Sequence, residues 1–152
     1  MEKTILLGDK EMKFKSSAAT NILFKRAFHE DVLLLLTDYS KNLKELKKIQ
    51  AKVDELRADS TRPKDEVLAE MNEYLNAPAL TASREFQSDT LPKLAFIMWL
   101  EANESEKLFS KLNEEQYLYW LLTIDQDELA GITGEIMEIW QSGAKTHSKP
   151  KN

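Results

Sequence analysis

The chain has 152 residues, no cysteine, and 21 Lys and Arg against 26 Asp and Glu, for a net charge of −5. The missing cysteines exclude disulfides, thiolate metal sites and thiol nucleophiles, and the acidic balance argues against a primary nucleic-acid binder, which is usually basic. Four Gly and four Pro fall well below the ordinary shares of about 7% and about 5%. Long uninterrupted elements follow, and the length favours one domain. The expectation is a mainly α protein: a single helical domain over 1–144 with a short N-terminal β-hairpin at about 4–15.

The stretch Met1 to Gly8 holds an apolar run of only three residues, short of the roughly 7–15 of a signal peptide. The longest apolar runs elsewhere, Val32 to Leu36 and Leu94 to Leu100, are far from the roughly 18 residues of a membrane span. A cytosolic protein is expected.

In chain order, Ile5 and Leu7 alternate with Thr4 and Leu6, and Met12 and Phe14 alternate with Lys13 and Lys15. Such alternation predicts two strands. Gly8 between them suits a type II′ or bulged turn. A lone hairpin is marginal, so it must lie on helices or pair with another copy. Ser16, Ser17 or Thr20 is positioned to cap a first helix carrying Ile22, Leu23, Ala27 and Phe28. Asp31 is placed to cap a longer one running to about Ala58, whose opening run Val32 to Leu36 predicts burial of that end. Along it the apolar positions thin to Tyr39, Leu43, Leu46, Ile49, Val53 and Leu56. Their steps of 3 and 4 make a seam long enough for a helix pair.

Pro63 suits the first turn of a helix with Val67, Leu68, Met71, Tyr74 and Leu75. Residues 78–90 read as the most loop-like stretch. Thr90 is placed to cap a helix with Pro92 in its first turn, and Leu94 to Leu100 predict that this helix is central to the core. Asn113 and Gln116 resemble a capping box opening a short helix with Tyr117, Leu118, Trp120 and Leu121. A last helix from near Asp127 carries Leu129, Ile132, Ile136, Ile139 and Trp140, with Gly143 as its stop. Residues 145–152 read as a disordered basic tail.

The search for reactive groups is mostly negative. Gly8, Gly131, Gly134 and Gly143 match neither phosphate-loop nor dinucleotide spacing. His29 and His147 are the only histidines, and neither follows a carboxylate at metal-ligand spacing. Glu70/Glu73, Glu101/Glu104 and Glu135/Glu138 each share a helix face, and without interleaved histidines they read as solvated surface. Asp125-Gln126-Asp127 fails as a calcium loop, because its fifth, sixth and twelfth positions are Leu129, Ala130 and Ile136. No catalytic residue, cofactor or metal site is expected, and an enzyme is not the reading.

Charge is distributed unevenly. Residues 41–64 contain eight Lys or Arg against four acids, a local +4, and residues 101–141 contain ten acids against Lys107 and Lys111, a local −8. Both blocks suit ordinary wet helix faces. They also suit a head-to-tail contact between copies, basic arm to acidic body, which weakens as salt rises. Use of the basic helix on nucleic acid is disfavoured, because aromatic platforms among its lysines are lacking.

Gly8-Asp9-Lys10 in a terminal hairpin, then Phe14 to Thr20 leading into a helix with Phe28 and Asp31, resembles the start of the tail assembly chaperones of long-tailed phages and prophages of Gram-positive bacteria. Leu94 to Met98, Glu135 to Trp140 and the lysine-rich ending Lys145 to Lys151 resemble further blocks of that family. The basic arm at 41–64 has no clear counterpart there. The resemblance implies an accessory protein that binds the tape measure protein, keeps it soluble and helps recruit tail tube subunits. Such a protein works in the host bacterial cytoplasm and is absent from the mature virion. On that reading Tyr39, Leu43, Leu46, Ile49, Val53 and Leu56 are the candidates for self-association or client binding, unless they pack inside their own subunit. The alternative is a cytosolic helical adaptor or regulator that touches nucleic acid or an acidic protein through the basic helix 41–64.

Overall fold

The computed structural model describes residues 1–148, with side chains up to Gly143. A hairpin, β1 (Glu2–Leu7) and β2 (Lys10–Lys15), precedes α1 (Thr20–Phe28), α2 (Val32–Ala58), α3 (Lys64–Leu75) and α4 (Pro78–Glu85). A π-helical turn at Phe86–Thr90 leads into α5 (Leu91–Asn103), and a 3-10 turn at Ser105–Lys107 into α6 (Leu108–Lys111). Then come α7 (Glu114–Leu122), α8 (Gln126–Gly131) and α9 (Thr133–Ser148). The protein is mainly α. Two compact units divide it, one made of Met1–Leu33 and the chain from Gln87 onward, the other of Leu34–Phe86.

The first unit is organised around α5. Leu91, Pro92, Leu94, Ala95, Phe96, Ile97, Met98 and Leu100 are all buried, so this helix has no face suited to water and is covered from several sides. Strand β2, α1, α7 and α9 supply that cover. The strands pair antiparallel with Ile5 opposite Met12 and Leu7 opposite Lys10. This register puts Ile5, Leu7 and Phe14 in the core and leaves Leu6 63% exposed. Gly8 takes φ +63°, the positive value that a type II′ turn requires at its first central position. A Cβ there would also overlap the Glu128 carboxylate. Edge-to-face rings fill the centre: Phe28 meets Phe24 at 5.2 Å, Tyr117 at 5.3 Å and Phe96 at 6.5 Å between centroids.

Long-range polar contacts tie the chain between β2 and α1 to the helices around it. Ser17 and Thr20 hydroxyls donate to the two oxygens of Glu101 on α5, at 2.5 and 2.7 Å. The buried Ser16 hydroxyl donates to the Ile139 carbonyl of α9 at 2.5 Å. Asn21 Oδ1 accepts from the Trp140 indole at 2.7 Å. Asp31 accepts from the Leu33 N–H at 3.0 Å, as an N-cap should, and α2 ends at the expected Ala58.

Several expectations are corrected. Residues 78–90 are helical, not a loop. Ala79, Ser83, Phe86 and Thr90 are buried at helical steps of 4, 3 and 4, a stripe hidden in the sequence because two of its members carry hydroxyls. Thr90 makes no cap, since its backbone is already helical at φ −68° and ψ −48°. The N-cap of α1 is Ala19, with Ser17 Oγ accepting from its N–H at 3.1 Å. Of Val32 to Leu36 only Val32 is fully buried, while Leu33 and Leu34 are 51% and 60% exposed. Five consecutive helical residues point around the whole axis, and a neighbour covers one side of it. The last helix is two, α8 and α9, with Ile132 at the joint. Helix α9 runs through Gly143 to Ser148, so Gly143 is not its stop, and 149–152 of the expected tail lie outside the described residues.

Gly143 serves close approach instead. A Cβ there would overlap Ser16 Oγ and lie 3.2 Å from the Ser16 carbonyl carbon, whereas a Cβ at Gly134 meets nothing within 4 Å. Two substitutions in one helix should therefore have opposite signs. Gly143→Ala is expected to destabilise by roughly 1–3 kcal/mol through overpacking. Gly134→Ala is expected to stabilise by up to about 1 kcal/mol through helix propensity. Urea denaturation followed by circular dichroism reads both.

Candidate functional site

The second unit holds the residues singled out for binding. Helix α2 presents Ile49 and Val53 to Ala79 of α4, with Leu46, Met71, Tyr74 and Ala77 packed around them. Ile49, Val53 and Leu56 are 7%, 3% and 6% exposed, so half of the predicted stripe faces its own unit. Tyr39 stacks on Phe86 with centroids 4.2 Å apart and planes at 11°. Leu43 is 38% exposed and Leu46 is half-buried.

The outer edge of the same stripe opens on a groove of about 340 Å³. Leu43, Leu46, Ile49 and Val53 form one wall, Leu75 of α3 and Leu80 of α4 the other, and Lys47 and Gln50 supply polar groups. Leu75 is 39% exposed. Lys41, Lys44, Lys47 and Lys48 of α2 are all exposed. The arrangement gives a shallow apolar slot beside a run of positive charge. Its shape and lining suit an apolar side chain.

A second recess of about 440 Å³ sits at the turn between α2 and α3, where Leu56, Val67, Leu68 and Met71 meet Arg57, Arg62 and Lys64. Arg62 is held by Glu66 at 3.0 Å and Glu70 at 2.7 Å, and these carboxylates raise its already high pKa. The Thr61 hydroxyl and N–H donate to Asp59 at 2.6 and 2.8 Å and hold its carboxyl below the usual range.

In the first unit the perturbed groups serve packing. Lys93 lies between Glu30 and Asp89, 3.0 Å from each, with its ammonium 5.2 Å from the Phe28 ring centre. Burial opposes its charge, and the hydrogen bonds it donates to Asp89 and Glu30 outweigh burial and raise its pKa. The stabilisation from this contact is therefore full below the ordinary lysine value and fades as pH rises through the raised one. Burial, followed by the charges of Asp89 and Glu114, pushes the Tyr117 hydroxyl well above its usual pKa.

Four of the six carboxylates paired in the sequence bond to partners outside their pair. Glu70 bonds Arg62, Glu101 accepts from Ser17 and Thr20, Glu104 binds Lys111 at 3.1 Å, and Glu135 lies 3.9 Å from Lys3. Asp125 caps α8, accepting from the N–H groups of Asp127 and Glu128. Asn113 caps α7, accepting from the Gln116 N–H at 2.9 Å. His29 ends α1 in the left-handed region at φ 60°, its N–H donating to the Lys25 carbonyl. Among the described residues, no group of three or more His, Asp or Glu is placed to hold a metal ion, and no helix is long and apolar enough to cross a membrane. Sequence reasoning missed the structural part of Glu101, whose hydroxyl partners are more than eighty residues away.

No protein-family model matches the chain, and neither a curated protein nor a solved structure does.

The two edges of the stripe should respond differently to charge. Val53→Glu is expected to unfold the second unit, because it puts an unpartnered carboxylate into the core, at a cost of several kcal/mol. Leu43→Glu, at the lip of the groove, should keep its helicity and shift the melting temperature by only a few degrees. Thermal melts followed by circular dichroism distinguish the two.

Proposed function

We propose that this protein is a tail assembly chaperone, binding the tape measure protein of a long-tailed phage or prophage and helping to recruit tail tube subunits. The observation that carries the reading is the groove between Leu43 and Leu46 of α2 and Leu75 and Leu80, open and apolar beside exposed lysines. The resemblance at Gly8 to Lys10, Phe14 to Thr20, Leu94 to Met98 and Glu135 to Trp140 supports it from the sequence side.

A tape measure protein is long and helical, and before the tube encloses it its apolar stripes are open to aggregation. A slot lined by leucines receives such a stripe by helix-in-groove docking, and the neighbouring lysines favour a client with flanking acids. One groove of this size binds weakly. Several copies along one client raise the overall affinity by multivalency, and the opposed charges of 41–64 and 101–141 give copies a reason to associate. The work belongs to the host bacterial cytoplasm, before the virion is complete.

The second reading, an adaptor that uses 41–64 on an acidic protein or nucleic acid, draws on the same exposed lysines without using the groove. Co-expression with a helical tape measure fragment separates them. The chaperone reading expects several-fold more soluble fragment with the protein than without it, and loss of that gain in Leu43→Glu. A fragment no more soluble in its presence refutes the reading.

A further inference from the structure

Helix α7 leaves large apolar side chains in solvent. Leu118 and Leu122 are 53% and 82% exposed, and Tyr119 is 58% exposed. Tyr117 and Trp120 turn to the core, so the exposed residues share the opposite face. Leu118 lies four residues before Leu122 and three or four after Glu115 and Glu114, spacings that put all four on one ridge. Both glutamates are exposed, and neither has a cationic partner among the described residues. Leucines exposed singly are ordinary, but two neighbours on a ridge rimmed by charge mark an interaction site.

The recess of about 440 Å³ at the turn between α2 and α3 has the complementary character. Leu56 and Val67 line it at 6% and 8% exposure, and Leu68 lines it at 51%. Arg62 is already taken by Glu66 and Glu70, and Asp59 by the Thr61 donors. Arg57 and Lys64, also in the lining, are exposed and in no ion pair among the described residues. The recess thus joins an uncovered leucine to two uncompensated cations, and the ridge joins two uncovered leucines to two uncompensated anions.

We infer that α7 of one copy of this chain docks in the α2–α3 recess of a second copy. Leu118 and Leu122 cover Leu68 and the apolar floor, while Glu114 and Glu115 meet Arg57 and Lys64. Charge selects this occupant, because a copy brings both acids and both leucines on one ridge, the combination that the recess lacks. The leucine slot on α2, lined by the single cation Lys47, matches the ridge less well. It shares no lining residue with the recess and so stays open to a client. Each copy offers one ridge and one recess, so the contact is heterologous and passes from copy to copy, closing as a ring or running on. It places the association of copies without involving a client. A failed co-expression test leaves it standing, and a failed association test leaves client binding by the slot standing.

Sedimentation of the full chain tests the contact. The wild type is expected to gain mass with concentration across the micromolar range, and added salt should weaken the association several-fold, because the paired charges lie near the surface. Leu122→Glu on the ridge and Leu68→Glu at the recess each replace an exposed side chain, so their circular dichroism should match the wild type. Each should weaken association at least about tenfold, the effect of withdrawing one leucine from an apolar contact. Lys64→Glu, in a first helical turn where an acid is favoured, should weaken it without touching the apolar floor. Mixed together, the Leu122→Glu and Leu68→Glu chains should form a heterodimer, because the first keeps its recess and the second its ridge. A wild type that stays monomeric, association unchanged by salt, a variant that associates as tightly as the wild type, or a mixture that stays monomeric would each overturn the inference.

Discussion

Burial of α5 is the constraint from which the first unit follows. Eight of the thirteen residues from Leu91 to Asn103 are buried, and a helix so apolar around its axis needs neighbours on most of its surface. The hairpin covers one side with Phe14, α1 another with Leu23, Phe24 and Ala27, and α9 a third with Ile136, Ile139 and Trp140. The two-stranded hairpin, marginal by itself, is stable because it serves as one wall of this enclosure. Each full burial of a large apolar side chain contributes about 1.5–3 kcal/mol, so the enclosure outweighs any single polar contact around it.

Several polar side chains at the margins of that core are engaged with one another or with main chain. Glu101 holds Ser17 and Thr20, Ser16 holds the Ile139 carbonyl, Asn21 holds Trp140, and Lys93 joins Glu30 to Asp89. These bonds fix the path from β2 into α1 and the packing of α9 beside it. The surfaces open to other molecules include a leucine slot beside exposed lysines on the second unit and an aromatic cavity on the first. Binding through shape and burial is the activity that such surfaces support, and the chaperone proposal rests on that.

Legibility in the sequence followed the range of the interaction. Alternation placed Ile5, Leu7 and Phe14 inward, and the dense apolar run from Leu94 to Leu100 marked the central helix. The caps Asp31 and Asn113 were readable because a cap is decided within three residues. The helical stretch 78–90 was missed because its buried stripe runs through Ser83 and Thr90, hydroxyl residues that periodicity counts as polar. Gly143 was misread as a helix stop because the reason for it, Ser16, lies far away in sequence. The stripe from Tyr39 to Leu56 was visible from its steps of 3 and 4. That Ile49 and Val53 turn inward while Leu43 lines an open slot depended on α4, the element not foreseen.

Native-state hydrogen exchange tests the central claim most directly. If enclosure of α5 holds the first unit together, the amides of Leu94 to Leu100 open only when the unit unfolds. Their opening free energy then equals that of denaturant unfolding and exceeds that of α7 by at least about 1 kcal/mol. Amides in α5 that exchange as fast as those of α7, through openings well below the global value, would contradict the account.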